Sequence, residues 1–208
     1  MITTEKFRKF GWVAMLFSAV VFTSCDDDDD VVAPPIENEE EIITDLKLIF
    51  TNTMDSTDVV MAAAQDPDGE GVMELEILDS IYLSPNVTYT LTMEIFNNLE
   101  TPGEDIGAEI EEEADEHQIF FSFTDGAFSD PMGDGNFDDY ADPVNYNDFD
   151  VNNLPVGLNT TWTTGSNSVS MGSFRIRLQH QPDGIKQAGS TVNDGDTDFD
   201  LDFELYIQ

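Results

Sequence analysis

Cysteine is all but missing: Cys25 is the only one in 208 residues. An internal disulfide is therefore excluded, and no cysteine is free for nucleophilic work once Cys25 has another use. Basic residues are nearly as scarce, 7 against 44 acids, for a formal net charge of −37. That balance rules out nucleic-acid binding through a basic patch. It keeps the chain soluble at some cost in self-repulsion, and it draws cations to the surface. The chain has neither a G-x-S-x-G elbow nor a glycine-rich phosphate loop. Carboxylate pairs are so common that they carry no diagnostic weight for acid–base chemistry. The expectation is a protein that is not an enzyme. No apolar run reaches the roughly 20 residues that a membrane-spanning helix needs.

The apolar stretch that is present runs from Phe10 to Phe22, behind the basic start Lys6, Arg8 and Lys9 and ahead of the small pair Thr23 and Ser24. This is the layout of a secretory signal. The segment VVFTSC resembles the lipobox of bacterial lipoproteins, with Phe22 where leucine is usual. The resemblance implies thioether lipidation of Cys25 and anchoring to a membrane through several acyl chains. The aspartates Asp26 to Asp30 stay extended in solvent. They also resemble the export signal of Bacteroidota surface lipoproteins, which implies an outer-membrane, surface-exposed location. Residues 25–41, with Pro34–Pro35 and a second acid cluster, read as a disordered tether after a signal of residues 1–24. Residues 42–208 remain for one domain.

That domain has a period of two. Leu46, Leu48 and Phe50 share one face of a first strand, and Val59 to Ala64 make a second. Met73, Leu75 and Ile77 alternate with Glu74 and Glu76 after the turn Asp66 to Gly71. From Asn86 to Phe96, Val87, Tyr89, Leu91, Met93 and Ile95 face one way, and Thr88, Thr90, Thr92 and Glu94 the other. Ile106 and Ile110, spaced by four, predict a short helix over Glu104 to Ala114. His117 to Thr124 is a strand, Asp125 to Pro143 a loop, and Val144 to Val151 with Val156 to Thr163 a hairpin around Asn152–Asn153. Near the end, Phe174, Ile176 and Leu178 alternate with Arg175, Arg177 and Gln179. Phe199, Leu201, Phe203, Leu205 and Ile207 alternate with Asp198, Asp200, Asp202, Glu204 and Tyr206. These last two are expected to pair antiparallel, setting the arginines against the aspartates. About eight or nine such strands and one helix predict an all-β, Ig-like or fibronectin-like antiparallel sandwich.

Two ligand sets suggest cation binding. Asp66, Asp68 and Glu70, followed by Gly71, match the opening of an EF-hand-like loop, but Ile77 stands where the closing glutamate belongs. Asp134, Asn136 and Asp138 repeat the spacing. Either could hold Ca²⁺, and either could be a turn of solvated acids. The second set is of the zinc type. His117 and His180 are the two histidines; Glu113 precedes His117 by four residues and Glu116 by one. Imidazole with carboxylate is a usable Zn²⁺ set. Whether the histidines meet in space is open at this stage.

The segments NLETPGEDIGAEIEEEADEHQIFF, PVGLNTTWTTG, FRIRLQHQPDGIK and GDTDFDLDFELYIQ resemble a group of flavobacterial surface lipoproteins often labelled "type 1 periplasmic binding fold". That label implies two α/β lobes, whereas this chain is short and strand-rich. The group resembles small lipoproteins that accompany TonB-dependent outer-membrane receptors. The resemblance implies a binding accessory that captures or hands over a nutrient such as a divalent metal. It covers both histidines. The alternative is a structural or adhesion module, its acids solvating it or binding Ca²⁺ for rigidity.

Overall fold

The computed structural model describes residues 41–66, 69, 75–99, 101–137 and 144–208. The signal segment, Cys25 and the tether up to residue 40 lie outside the described residues, as do Asp68, Glu70, Gly71, Met73 and Asp138. Among the described residues no helix is long and apolar enough to cross a membrane.

The domain is all-β. In chain order its strands are β1 (Asp45–Asn52), β2 (Val59–Gln65), β3 (Glu76–Ile77), β4 (Ile81–Leu83) and β5 (Thr88–Phe96). The helix α1 (Ile106–Glu112) follows, then β6 (His117–Phe123), β7 (Phe128–Asp130), β8 (Asn145–Tyr146), β9 (Asn159–Thr164), β10 (Val169–His180) and β11 (Asp196–Ile207). One sheet runs β3-β2-β1-β5-β9-β7, with β8 also on β9; the other runs β4-β11-β10-β6. The two short strands that periodicity missed are β4 and β7. Three residues are too few to show a period, yet Ile81 and Leu83 are both buried.

The alternating positions do what their spacing predicts. Leu46, Leu48, Phe50, Tyr89, Leu91 and Ile95 from the first sheet join Phe174, Ile176, Leu178, Phe199, Phe203 and Leu205 from the second in one apolar core. Trp162 is the hinge of that packing. Its ring lies 5.3 Å from Phe121 and 5.0 Å from Phe174, both in the opposite sheet, and its indole N–H donates to Thr160 Oγ1 at 2.7 Å. Aromatic pairs of this kind contribute about 0.5–1.5 kcal/mol beyond the area they bury.

Strands β10 and β11 are antiparallel neighbours, with Arg175 opposite Asp202 and Arg177 opposite Asp200. Both guanidinium groups close on one carboxylate, Asp200. Three details differ from the sequence-based expectation. Strand β4 pairs with β11 in parallel, because the chain leaves the first sheet after β3 and caps the open edge of the second. The register shifts between Leu178 and Gln179, where the pairing skips Asp198 on the facing strand. That bulge turns Asp198, expected on the charged outer face, into a buried residue. The helix is also shorter than predicted. Asp105 caps it by accepting from Ala108 N–H at 3.1 Å, Ile106 and Ile110 are buried, and it stops before Glu113.

Candidate metal centre

The last residue of β10 and the first of β6 face each other across an antiparallel pair, and both are histidine. The rings of His117 and His180 are stacked, with centroids 4.3 Å apart and planes 22° from parallel. Neither is accessible: His117 is fully buried and His180 is 4% exposed. Two imidazoles rarely enter an apolar interior together without a reason, because each nitrogen there needs a partner.

Half of those nitrogens have one. His117 Nδ1 lies 3.2 Å from the carbonyl oxygen of Glu113, and His180 Nε2 lies 3.4 Å from Glu116 Oε2. An N–H at each of these positions fixes the tautomer and leaves a lone pair on the other nitrogen. Those other nitrogens, His117 Nε2 and His180 Nδ1, are buried and have no hydrogen-bond partner among the described residues. One ligand atom from each of Glu113, His117 and His180 lies within 4.8 Å of the others, the one such convergence found among the described residues. Glu113 is exposed, so the cluster is dry on its imidazole side and open on its carboxylate side.

The local chain path explains the approach. Helix α1 does not run on to place Glu113 and His117 on one helical face. Residues 113–116 form a turn instead. In that turn the backbone of Glu113 reaches His117, and Glu116 O accepts from Gln181 N–H at 2.6 Å. Lys186 secures the same turn from behind. Its ammonium donates to the carbonyls of Ala114 at 2.5 Å and His117 at 2.8 Å, and it faces Asp150 Oδ2 at 3.4 Å with both side chains fully buried.

The electrostatics favour a cation at the carboxylate end. Burial, and then the charges of Glu109, Glu113 and Glu104, push the Glu41 carboxyl up to about 7. Burial, the neighbouring His180 and the Lys186 charge push His117 down to about 4, against the pull of the Glu113 carbonyl. His117 is therefore neutral at pH 7, the form that ligates metal.

The zinc-type set predicted from sequence is thus brought together, with Glu116 on the far nitrogen of His180 rather than beside the two free lone pairs. The calcium-type residues are placed differently. Asp66 is buried and accepts from Gly69 N–H at 3.0 Å, while Asp68 and Glu70 lie outside the described residues. Asp134 sits in a distant exposed turn, where its two oxygens accept from the backbone and side-chain nitrogens of Asn136, each at 2.8 Å. Sequence reasoning missed Lys186, Asp150 and Gln181. The available signal was that Lys186 is one of 7 basic residues in an acidic chain, and so an unusual cation to leave unassigned.

No family model, no curated protein and no solved structure matches this chain.

Proposed function

We propose that this chain is a non-enzymatic binding protein for a divalent transition metal, held outside the cell by lipid on Cys25. The observation that carries the proposal is the pair of partnerless buried nitrogens, His117 Nε2 and His180 Nδ1, on two histidines that each bring a ligand atom within 4.8 Å of the other's and of Glu113's. Two imidazoles and one carboxylate form a zinc-type donor set that leaves a coordination position for water or an incoming ligand. Glu116 orients His180 from its other nitrogen, and such outer partners strengthen a histidine ligand. An open position and an exposed carboxylate suit a site that takes up and releases its ion. This fits an accessory that hands a scarce metal to an outer-membrane receptor of the TonB-dependent kind.

Calorimetry of the mature chain tests the reading. Zn²⁺ is expected to bind with one-to-one stoichiometry, and His117→Ala with His180→Ala to abolish the heat. Glu116→Gln is expected to weaken binding by about 10-fold or more. Equal heat from Zn²⁺ in wild type and the double histidine variant would remove the proposal. A rise in melting temperature with Ca²⁺ alone would instead favour a structural module.

A further inference from the structure

Strand β6 is buried along both faces. Ile119, Phe121 and Phe123 belong to the apolar core, whereas Phe120 is 2% exposed and stands outside that cluster. Alternation puts Gln118 and Phe120 together on the outer side of the sheet, the face opposite to that of His117. Over them lies an open-sided cavity of about 430 Å³, bordered by residues of the 144–155 stretch and of the loop between β10 and β11. Its size falls in the range of small-molecule sites, about 300–1,000 Å³.

Two features define what it would hold. Among the described residues its lining contains no Asp, Glu, Lys, Arg or His, although the chain carries 44 acids and 7 bases. Tyr146, Phe149, Leu154 and Pro155 form its apolar walls beside Phe120. The second feature is Gln118. It lines the cavity, is only 7% exposed, and its carboxamide makes no hydrogen bond to a described residue. Two neighbouring polar side chains, Asn145 and Ser190, are already engaged. Asn145 Nδ2 donates to Asp130 at 3.0 Å, and Ser190 Oγ donates to the Ile185 carbonyl at 2.7 Å and accepts from Gln187 N–H at 2.8 Å. A carboxamide offers a donor and an acceptor side by side, and here both are left to whatever occupies the cavity.

We propose that this cavity binds a small, uncharged, planar molecule bearing an amide. The ligand's N–H and C=O pair with the Gln118 side chain, and its ring lies among Phe120, Tyr146 and Phe149. The site does not depend on the metal reading.

Benzamide is the probe, with benzoate and benzylammonium as anionic and cationic analogues of similar shape. Each is titrated into the full-length chain in EDTA, and binding is read by saturation-transfer NMR. Benzamide is expected to bind saturably, and both charged analogues at least about tenfold more weakly, since no described lining residue compensates their charge. Gln118→Leu is expected to weaken benzamide by about tenfold. Gly189→Trp is the second variant: Gly189 lines the cavity, and an added Cβ there meets no atom within 4 Å, so a side chain is accepted at this position and the indole is introduced to obstruct the site. It is expected to abolish binding. The proposal is overturned if benzamide does not bind saturably, if the charged analogues match it, or if both variants bind it like wild type.

Discussion

On the outer face of the first sheet Lys47 meets Glu94 at 2.7 Å, with the two side chains 43% and 47% exposed. On the outer face of the second, Arg175 and Arg177 close on Asp200, whose side chain is 9% exposed. Both are cross-strand ion pairs between neighbouring strands, yet they sit in different media. The first sheet's pair stands in water. The second sheet's is roofed: Phe137 lies over both guanidinium groups, 5.2 Å and 5.0 Å from their central carbons, and the 192 carbonyl accepts from Arg177 and Gln179. A polar face that is then covered has to satisfy every group inside, and the features with chemical potential lie on or beside that sheet. The histidine pair, the buried Lys186–Asp150 pair and the Gln118 cavity all adjoin β6 or the loops around it.

The sharpest test of the comparison lies where both sheets meet. Phe174→Ala is expected to cost about 3–5 kcal/mol in a denaturant titration, because its ring contacts Phe50, Phe121, Phe128 and Trp162. Lys186→Met should follow at about 3 kcal/mol, because it strands the buried Asp150 carboxylate. Adding Asp150→Asn should recover part of that loss. If Lys186→Met proves as mild as an exposed lysine change, the contrast between the two sheets is wrong.

Next comes an acid effect confined to the covered side. His117 is held near 4 in the fold against 6.5 unfolded, so between those values the unfolded chain binds more protons. The His117 contribution to stability is therefore complete above about pH 6.5 and falls as pH drops toward 4, by at most about 1.4 kcal/mol per pH unit. Glu41, raised from 4.5 to about 7, acts in the opposite sense over nearly the same window. The His117 slope is therefore read as the difference between melting curves of metal-free wild type and His117→Gln. Last, Asp200→Asn should cost about 2 kcal/mol, whereas Lys47→Met should cost less than about 1 kcal/mol. Burial alone would raise the Asp200 carboxyl, but its bonds to Arg175 and Arg177 hold it below the ordinary value. This contribution is present above pH 3.8 and is lost in stronger acid. Equal losses for the two substitutions would erase the difference between the faces.

How much of this could be read in advance depends on the range of the interaction. The alternation at Leu46 to Phe50, Tyr89 to Ile95 and Phe199 to Ile207 is local, and it identified the inner faces and the all-β class. The pairing of the arginine strand with the aspartate strand was also legible, because opposite charges recur there at matching spacing. Alternation says nothing of whether the outward face is later covered. Asp198 reads as a solvent residue and is buried by a bulge, and Gln118, in a strand to which the sequence assigns no outward face, is covered by loops that arrive from elsewhere in the chain. The histidines could be named as a pair, but their approach depends on the register of β6 against β10, which sequence spacing does not determine. The glutamate four residues before His117 was singled out on a helical argument, and a turn brings it there instead.

Gly195 stands where the chain re-enters the sheet, with φ at 88°, and a methyl group there would lie 2.1 Å from the carbonyl oxygen of His180. No other side chain fits without pushing back the strand end that carries the imidazole. In a family of diverging sequences this single small letter would therefore travel with the histidine pair. A distant relative that keeps the one should keep the other, and a relative that has filled the notch should have lost the stacked imidazoles.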